Sequence, residues 1–271
     1  MIQLWCNMKK FYQNATKRRE KRMKGKVIVN FGDSIFGNKR PPNDISTALA
    51  EITGATVHNL GFGGCRMSCH VREWDAFSMY RLADAITTRD FSVQDAVDVE
   101  AKSKDKTDEM PIYFLETRAL LKSLDFNQVD IVTIAYGSND YTARKKIDNP
   151  ENPFDVDTFQ GALRYSIKTL HQTYPHLKIF VCCPTYRFWV NDNLELIDDS
   201  DTRLYDGQSM DDFIEASRRV AKEYHVKFID NYYELGINKF SRTYYFDGKD
   251  GSHHNPRGAR LIAEHMASEL F

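Results

Sequence analysis

Five short apolar, β-branched runs recur along the chain, at residues 27–31, 56–60, 129–135, 178–183 and 226–230, each ending in a polar or glycine-containing stretch. Runs of this length and composition predict buried strands. Between them the apolar period changes. Over residues 156–174, Phe159, Leu163, Ile167 and Leu170 fall on one helical face, and over 210–224 so do Phe213, Ala216, Val220 and Ala221. Strands alternating with amphipathic helices predict parallel β-α-β units, hence an α/β, three-layer α/β/α sandwich around a central parallel five-stranded sheet. Residues 74–87 and 111–124 also have helical character, while 98–108 is charged and turn-like, and the whole stretch of about 65–126 is expected to be an insertion. Residues 148–153, rich in Pro and Asn, form a loop, and a last helix is expected after Pro256. One domain over 25–271, preceded by a basic extension over 1–24, accounts for the chain.

Composition narrows the class. Hydrophobic residues make up 42% of the 271 positions and charged residues 28%, enough for a core and an ordinary solvated surface. The formal net charge of −1 removes the broad attraction that non-specific binding to nucleic acid or an anionic membrane requires. The basic cluster Lys17, Arg18, Arg19, Lys21 and Arg22 reads as a solvated tail or helix. Cys6, Cys65, Cys69, Cys182 and Cys183 are odd in number, and the adjacent pair lies in an apolar strand, so no disulfide framework is expected. No apolar run approaches membrane length and residues 1–26 lack the apolar core of a signal peptide, so the expected location is the cytoplasm. Met8 and Met23 each offer a further start.

In open parallel sheets ligands bind beyond the carboxyl ends of the strands, which directs attention to the loops there. After the first strand come Gly32, Asp33 and Ser34, a hydroxyl at a strand-to-helix turn flanked by glycine. After the second come Gly61, Phe62, Gly63 and Gly64, and after the third Gly137, Ser138, Asn139 and Asp140. Near the C-terminus stand Asp250, Gly251, Ser252 and His253. A serine becomes a nucleophile when a base takes its proton and a carboxylate fixes that base. Asp250 and His253, three residues apart, supply both. The backbone N–H groups of Ser34 and Gly64 and the side-chain amide of Asn139 are donors suited to a developing oxyanion.

These four segments, in this order, resemble the blocks of the SGNH (GDSL-type) hydrolase superfamily. The resemblance spans Gly32 to the last helix, except for 65–126, where no family motif matches. It implies a flavodoxin-like fold and a metal-independent, cofactor-free serine ester hydrolase. The nucleophile falls on Ser34, the oxyanion hole on Ser34, Gly64 and Asn139, and the acid and base on Asp250 and His253. Ile35 stands where the family motif has leucine, and His254 where it has proline. His254 is therefore the alternative base and Asp247 the alternative acid, although no histidine lies three residues after Asp247.

Other readings have fewer residues behind them. Gly32 to Gly37 nearly fits a phosphate-binding loop, but Asn38 occupies the lysine position. Cys65, Cys69 and His70 have no second matching pair for a metal site. Phe62, Arg66, Tyr141 and Trp189 lie near the motifs and are candidates for lining a pocket or for packing. The expected activity is cleavage of carboxylic esters through an acyl-serine. The expected substrate is a small-molecule ester with a short acyl group, such as acetyl on a carbohydrate, since no long exposed apolar lid is evident. The alternative is a non-catalytic glycan-binding or structural module on the same fold.

Overall fold

The computed structural model describes residues 23–270. The basic cluster at 17–22, Cys6 and Met8 lie outside the described residues. Met23 is buried, and its carbonyl accepts a hydrogen bond from the Lys26 N–H, so the end of the expected extension packs on the domain.

Five strands, β1 (Val27–Gly32), β2 (Thr56–Gly61), β3 (Ile131–Ala135), β4 (Lys178–Cys182) and, last in the chain, Lys227–Ile229, form one parallel sheet. All five expected strands are present. Ile28, Val29, Phe31, Val132 and Ile134 are buried, as strands covered on both faces must be. Within this apolar centre one polar bridge crosses from β3 to a neighbouring helix. Thr133 Oγ1 donates to Asn30 Oδ1, and Asn30 Nδ2 donates to Ser46 Oγ.

The strand order is β2, β1, β3, β4 and then Lys227–Ile229. The chain steps from β1 to β2 in one direction and returns to place β3 on the other side of β1. The loops after β1 and β3 therefore diverge at the switch point where such sheets open a crevice. In register, Gly32 pairs with both Gly61 and Ala135, so these strands end level and their loops emerge together.

Among the described residues six helices of nine residues or more accompany the sheet: α1 (Ile45–Thr53), α2 (Met79–Thr88), α3 (Phe114–Ser123), α4 (Phe159–Thr173), α5 (Met210–Glu223) and α6 (Pro256–Glu269). Packing divides most of them into two groups, α1 with α6, and α4 with α2 and α5. The helices flank the sheet as an α/β/α sandwich. Helix starts follow local chemistry. Thr158 caps α4, Ser209 and Asp212 form a capping box on α5, and Asn255 caps α6 just before Pro256.

The stretch expected as an insertion contributes to the packing directly. Phe77 from a 3-10 turn and Phe114 from α3 close on Phe62 at ring separations of 4.9 and 5.0 Å, while α2 packs on α4. Unanticipated is an antiparallel hairpin after β4, β5 (Phe188–Val190) with β6 (Leu196–Asp199). Its strands are three and four residues long and largely half-exposed, too short for an alternating pattern to register. Lys227–Ile229 becomes β7. Among the described residues no helix is long and apolar enough to cross a membrane.

Candidate active site

Ser34 opens a single helical turn, Ser34–Gly37, at the end of β1. Asp33 caps it, its buried carboxylate accepting from the Ile35 N–H at 2.9 Å. Burial pushes the Asp33 carboxyl up to about 6 against the pull of that amide, His253 and Arg187. The turn lies hard against the end of β2. A Cβ on Gly37 would stand 2.6 Å from the Gly61 carbonyl oxygen, and one on Gly61 2.5 Å from the Gly37 nitrogen, so both positions need glycine.

The Gly61–Gly64 loop and the β3 loop are joined by two sets of bonds. Asn139 Nδ2 donates to the Cys65 carbonyl at 2.9 Å, and the Asp140 carboxylate accepts from the Met67 and Ser68 N–H groups at 3.0 Å each and from Ser68 Oγ. Asp140 is fully buried, and desolvation raises its pKa despite these donors. Gly64 has φ +81°, the left-handed conformation glycine permits, and a Cβ there would press on the Trp74 ring at 2.9 Å. The Gly64 amide and the Asn139 side chain are thus fixed relative to one another.

The fourth segment, 250–253, docks on the hairpin. Phe188 N–H donates to the Gly251 carbonyl at 3.0 Å, and any side chain at Gly251 would overlap the Phe188 carbonyl oxygen. Asp250 Oδ1 accepts from the Ser252 and His253 amides, and its Oδ2 bonds His253 Nδ1 at 2.8 Å. Partial burial pushes the Asp250 carboxyl up, but the His253 ring and the two amides outweigh it and hold it well below the usual carboxylate range. With Nδ1 carrying the proton toward Asp250, Nε2 presents its lone pair.

That lone pair faces the Ser34 turn. His253 Nε2 lies 3.4 Å from the side-chain amide of Asn38, the residue that ends the turn. Asn38 Oδ1 in turn accepts from the Tyr113 hydroxyl, which accepts from the Gly63 N–H. Ser34 Oγ itself makes no hydrogen bond among the described residues. The structure therefore brings Asp250 and His253 together, and His253 to the Ser34 turn, with Nε2 on Asn38. Catalytic hydrogen bonds are often loose without substrate.

The alternatives separate by burial. His254 is 4% exposed, its ring lies 4.3 Å from that of Phe246, and neither ring nitrogen has a partner among the described residues. Burial and the neighbouring His253 pull its pKa down to about 3. Asp247 accepts from Asn255 Nδ2, not from a histidine. Of the four lining candidates, Phe62 and Tyr141 are fully buried packing residues, while Trp189 and Arg66 are partly exposed. Cys65, Cys69, Cys182 and Cys183 are free thiols, and no group of three or more potential metal ligands occurs among the described residues. A cavity of about 830 Å³ lies elsewhere, lined by Arg144, Asp148, Asn149 and Asp155 among others, and contains none of these residues.

Sequence reasoning passed over the loop after β4. Its Arg187 donates to Ser138 Oγ at 3.0 Å and to Ser252 Oγ at 2.7 Å, bridging the neighbours of Asn139 and His253. The rule that directs attention to strand ends applies to this loop too, but a lone arginine has no motif around it.

The arrangement provides a hydroxyl at a turn, an imidazole oriented by a carboxylate, and amide donors on two adjoining loops. The model of the GDSL-like Lipase/Acylhydrolase family matches residues 30–261. None of the curated proteins compared matches the chain. Three similar solved structures share its fold. A protein from Lactobacillus plantarum is 18% identical with TM-score 0.60, covering 91% of this chain and 97% of its own. A possible lipase from Chitinophaga pinensis is 16% identical with TM-score 0.57, covering 90% and 97%. Est24, a carbohydrate acetylesterase from Sinorhizobium meliloti, is 14% identical with TM-score 0.54, covering 90% and 98%.

Proposed function

The chain belongs to the GDSL-like lipase/acylhydrolase family, and from that premise we propose that it is a serine ester hydrolase in which Ser34 is the nucleophile, His253 the base and Asp250 the orienting acid. The observation that carries this reading is the 2.8 Å bond from His253 Nδ1 to Asp250 Oδ2, with Nε2 turned to the helical turn that begins at Ser34. When an ester seats, Nε2 moves from Asn38 to Ser34 Oγ and takes its proton as Oγ attacks the carbonyl carbon. The oxyanion is met by the Ser34 and Gly64 amides and by the Asn139 N–H not used on Cys65. His253 then passes its proton to the departing alkoxide, leaving an acyl-serine. Water, deprotonated by the same Nε2, attacks that acyl group and releases the acid and free Ser34.

The acyl group we assign is short, acetyl on a carbohydrate alcohol. The fold shared with a carbohydrate acetylesterase supports that choice. Free thiols at all four described cysteines fit a reducing, cytoplasmic setting.

The test is 4-nitrophenyl acetate hydrolysis by wild type and Ser34→Ala, with a fluorophosphonate probe. Wild type should turn over and label at Ser34, and the variant should lose about 10³-fold or more in kcat. Absence of both turnover and labelling in wild type would leave a non-catalytic binding module on the same fold.

A further inference from the structure

Arg187 bridges the loop of Asn139 and the segment of His253, yet among the described residues it has no carboxylate partner. Its two terminal nitrogens are bonded only to the Ser138 and Ser252 hydroxyls, and its buried Nε–H has no acceptor among the described residues. The carboxylates that act on it are Asp33 and Asp250, and neither is bonded to it. Asp250 is already committed to His253. Most other arginines that donate to side chains in this fold, such as Arg81, Arg164, Arg203 and Arg218, are paired with carboxylates. Asp33 and Asp250 act on Arg187 only at a distance, so a partly desolvated guanidinium with no bonded counter-ion favours an anion beside it.

The bonding pattern says where that anion goes. A hydroxyl that accepts from arginine keeps its own O–H to donate, and among the described residues neither Ser138 Oγ nor Ser252 Oγ donates to anything. The cluster thus carries a positive charge and two unused O–H donors, with no acceptor of its own. Ser138 precedes Asn139 and Ser252 precedes His253, which puts these donors beside the reacting bond. The Trp189 ring, 5.0 Å from the guanidinium carbon, and Arg203, 4.0 Å from the same ring, extend the wall, but Arg203 is neutralised by Asp198.

We propose that Arg187, with Ser138 and Ser252, forms an anion subsite of the Ser34 centre, and that the ester it takes carries a carboxylate close to the scissile bond. Guanidinium is suited to this by its planar fork of donors. The proposal rests on the esterase reading only for which bond reacts. The subsite itself follows from the unpartnered donors.

Two acetyl esters that differ in one charge test it: 4-acetoxybenzoate and its neutral methyl ester. The readout is the ratio of their kcat/KM values. From wild type to Arg187→Met the ratio of anionic to neutral ester should fall at least ten-fold, with Arg187→Lys between them. A ratio unchanged across the three proteins, including a parallel loss on both esters, overturns the subsite and leaves Arg187 as a brace between two loops. Should Met at 187 prevent folding, the Lys variant decides by the same ratio, since it keeps the charge but cannot span both hydroxyls. Calorimetric titration of both esters into Ser34→Ala separates this proposal from the esterase reading. Tighter binding of 4-acetoxybenzoate that disappears in Ser34→Ala with Arg187→Met upholds the subsite even where wild type hydrolyses nothing. Equal binding of the two esters overturns it even where wild type is a good esterase.

Discussion

Asn139 Nδ2 donates to the carbonyl of Cys65, the residue after Gly64, at 2.9 Å, so one proposed oxyanion donor holds the loop that carries another. The amide has two N–H bonds and this contact uses one. Replacing Asn139 with alanine removes a donor to the oxyanion and loosens the Gly64 amide together. kcat on 4-nitrophenyl acetate should fall by about 10²–10³-fold, with KM changed much less, because the lost interaction belongs to the transition state. Steady-state kinetics on the purified variant check this. A variant that changed only KM would assign Asn139 to ground-state binding.

Asp33 gives stability a pH dependence of definite sign. Its carboxyl is raised to about 6 in the fold from an ordinary 3.8, because burial disfavours the charged form. Below pH 4 both folded and unfolded chains hold the proton and no penalty applies. As pH rises from 4 to 6 the unfolded chain releases it first, and about 3 kcal/mol of stability is lost, at 1.36 kcal/mol per pH unit. Asp33→Asn preserves an acceptor for the Ile35 N–H and removes the titration. Urea denaturation at pH 4 and pH 7 should show the variant gaining on wild type at the higher pH. An identical difference at both pH values would remove Asp33 as the cause.

What the sequence makes legible is whatever is written locally. Buried parallel strands appear as continuous apolar runs, and the proposed site residues Ser34, Gly64, Asn139, Asp250 and His253 each sit in a short loop with a local motif. What it hides depends on distant partners. Asn38 and Tyr113 meet across 75 residues, and Arg187 reaches Ser138 and Ser252 across 49 and 65, which no local pattern records. His253 and His254 are chemically alike as letters, and only the packing of His254 against Phe246 tells them apart.

His254 also has a thermodynamic signature opposite to that of Asp33. Its ring is buried with no partner for either nitrogen among the described residues, and its pKa falls from 6.5 to about 3. Above pH 6.5 folded and unfolded chains are both neutral at this residue. As pH falls below 6.5 the unfolded chain takes up a proton that the fold refuses, and stability drops until about pH 3. His254→Leu, which keeps an apolar side chain against Phe246, should reduce acid lability in that window while retaining esterase activity. His253→Ala should instead lower kcat by about 10³-fold or more at any pH. Acid unfolding midpoints and kcat measured on the two variants decide between them, and loss of activity in His254→Leu alone would reverse the assignment of the base.

Gly251 tests whether the hairpin sets the position of the proposed catalytic pair, Asp250 and His253. Its carbonyl accepts from Phe188 N–H, and its Cα faces the Phe188 carbonyl oxygen with no room for a side chain. A methyl group there must push the 250–253 segment off β5, and Asp250 and His253 move with it. Gly251→Ala should therefore lower kcat by about 10²-fold, because a displacement of about 1 Å in a catalytic group costs that much. Fluorophosphonate labelling of Ser34 should slow in parallel, since it depends on the same base. Phe188→Ala leaves the backbone bond in place and so separates position from packing. It should lower stability by about 3–5 kcal/mol, as loss of a buried phenyl ring does, while reducing kcat far less than Gly251→Ala. Equal kcat losses in the two variants would mean that packing of the Phe188 ring, rather than the backbone contact with Gly251, holds His253 in place.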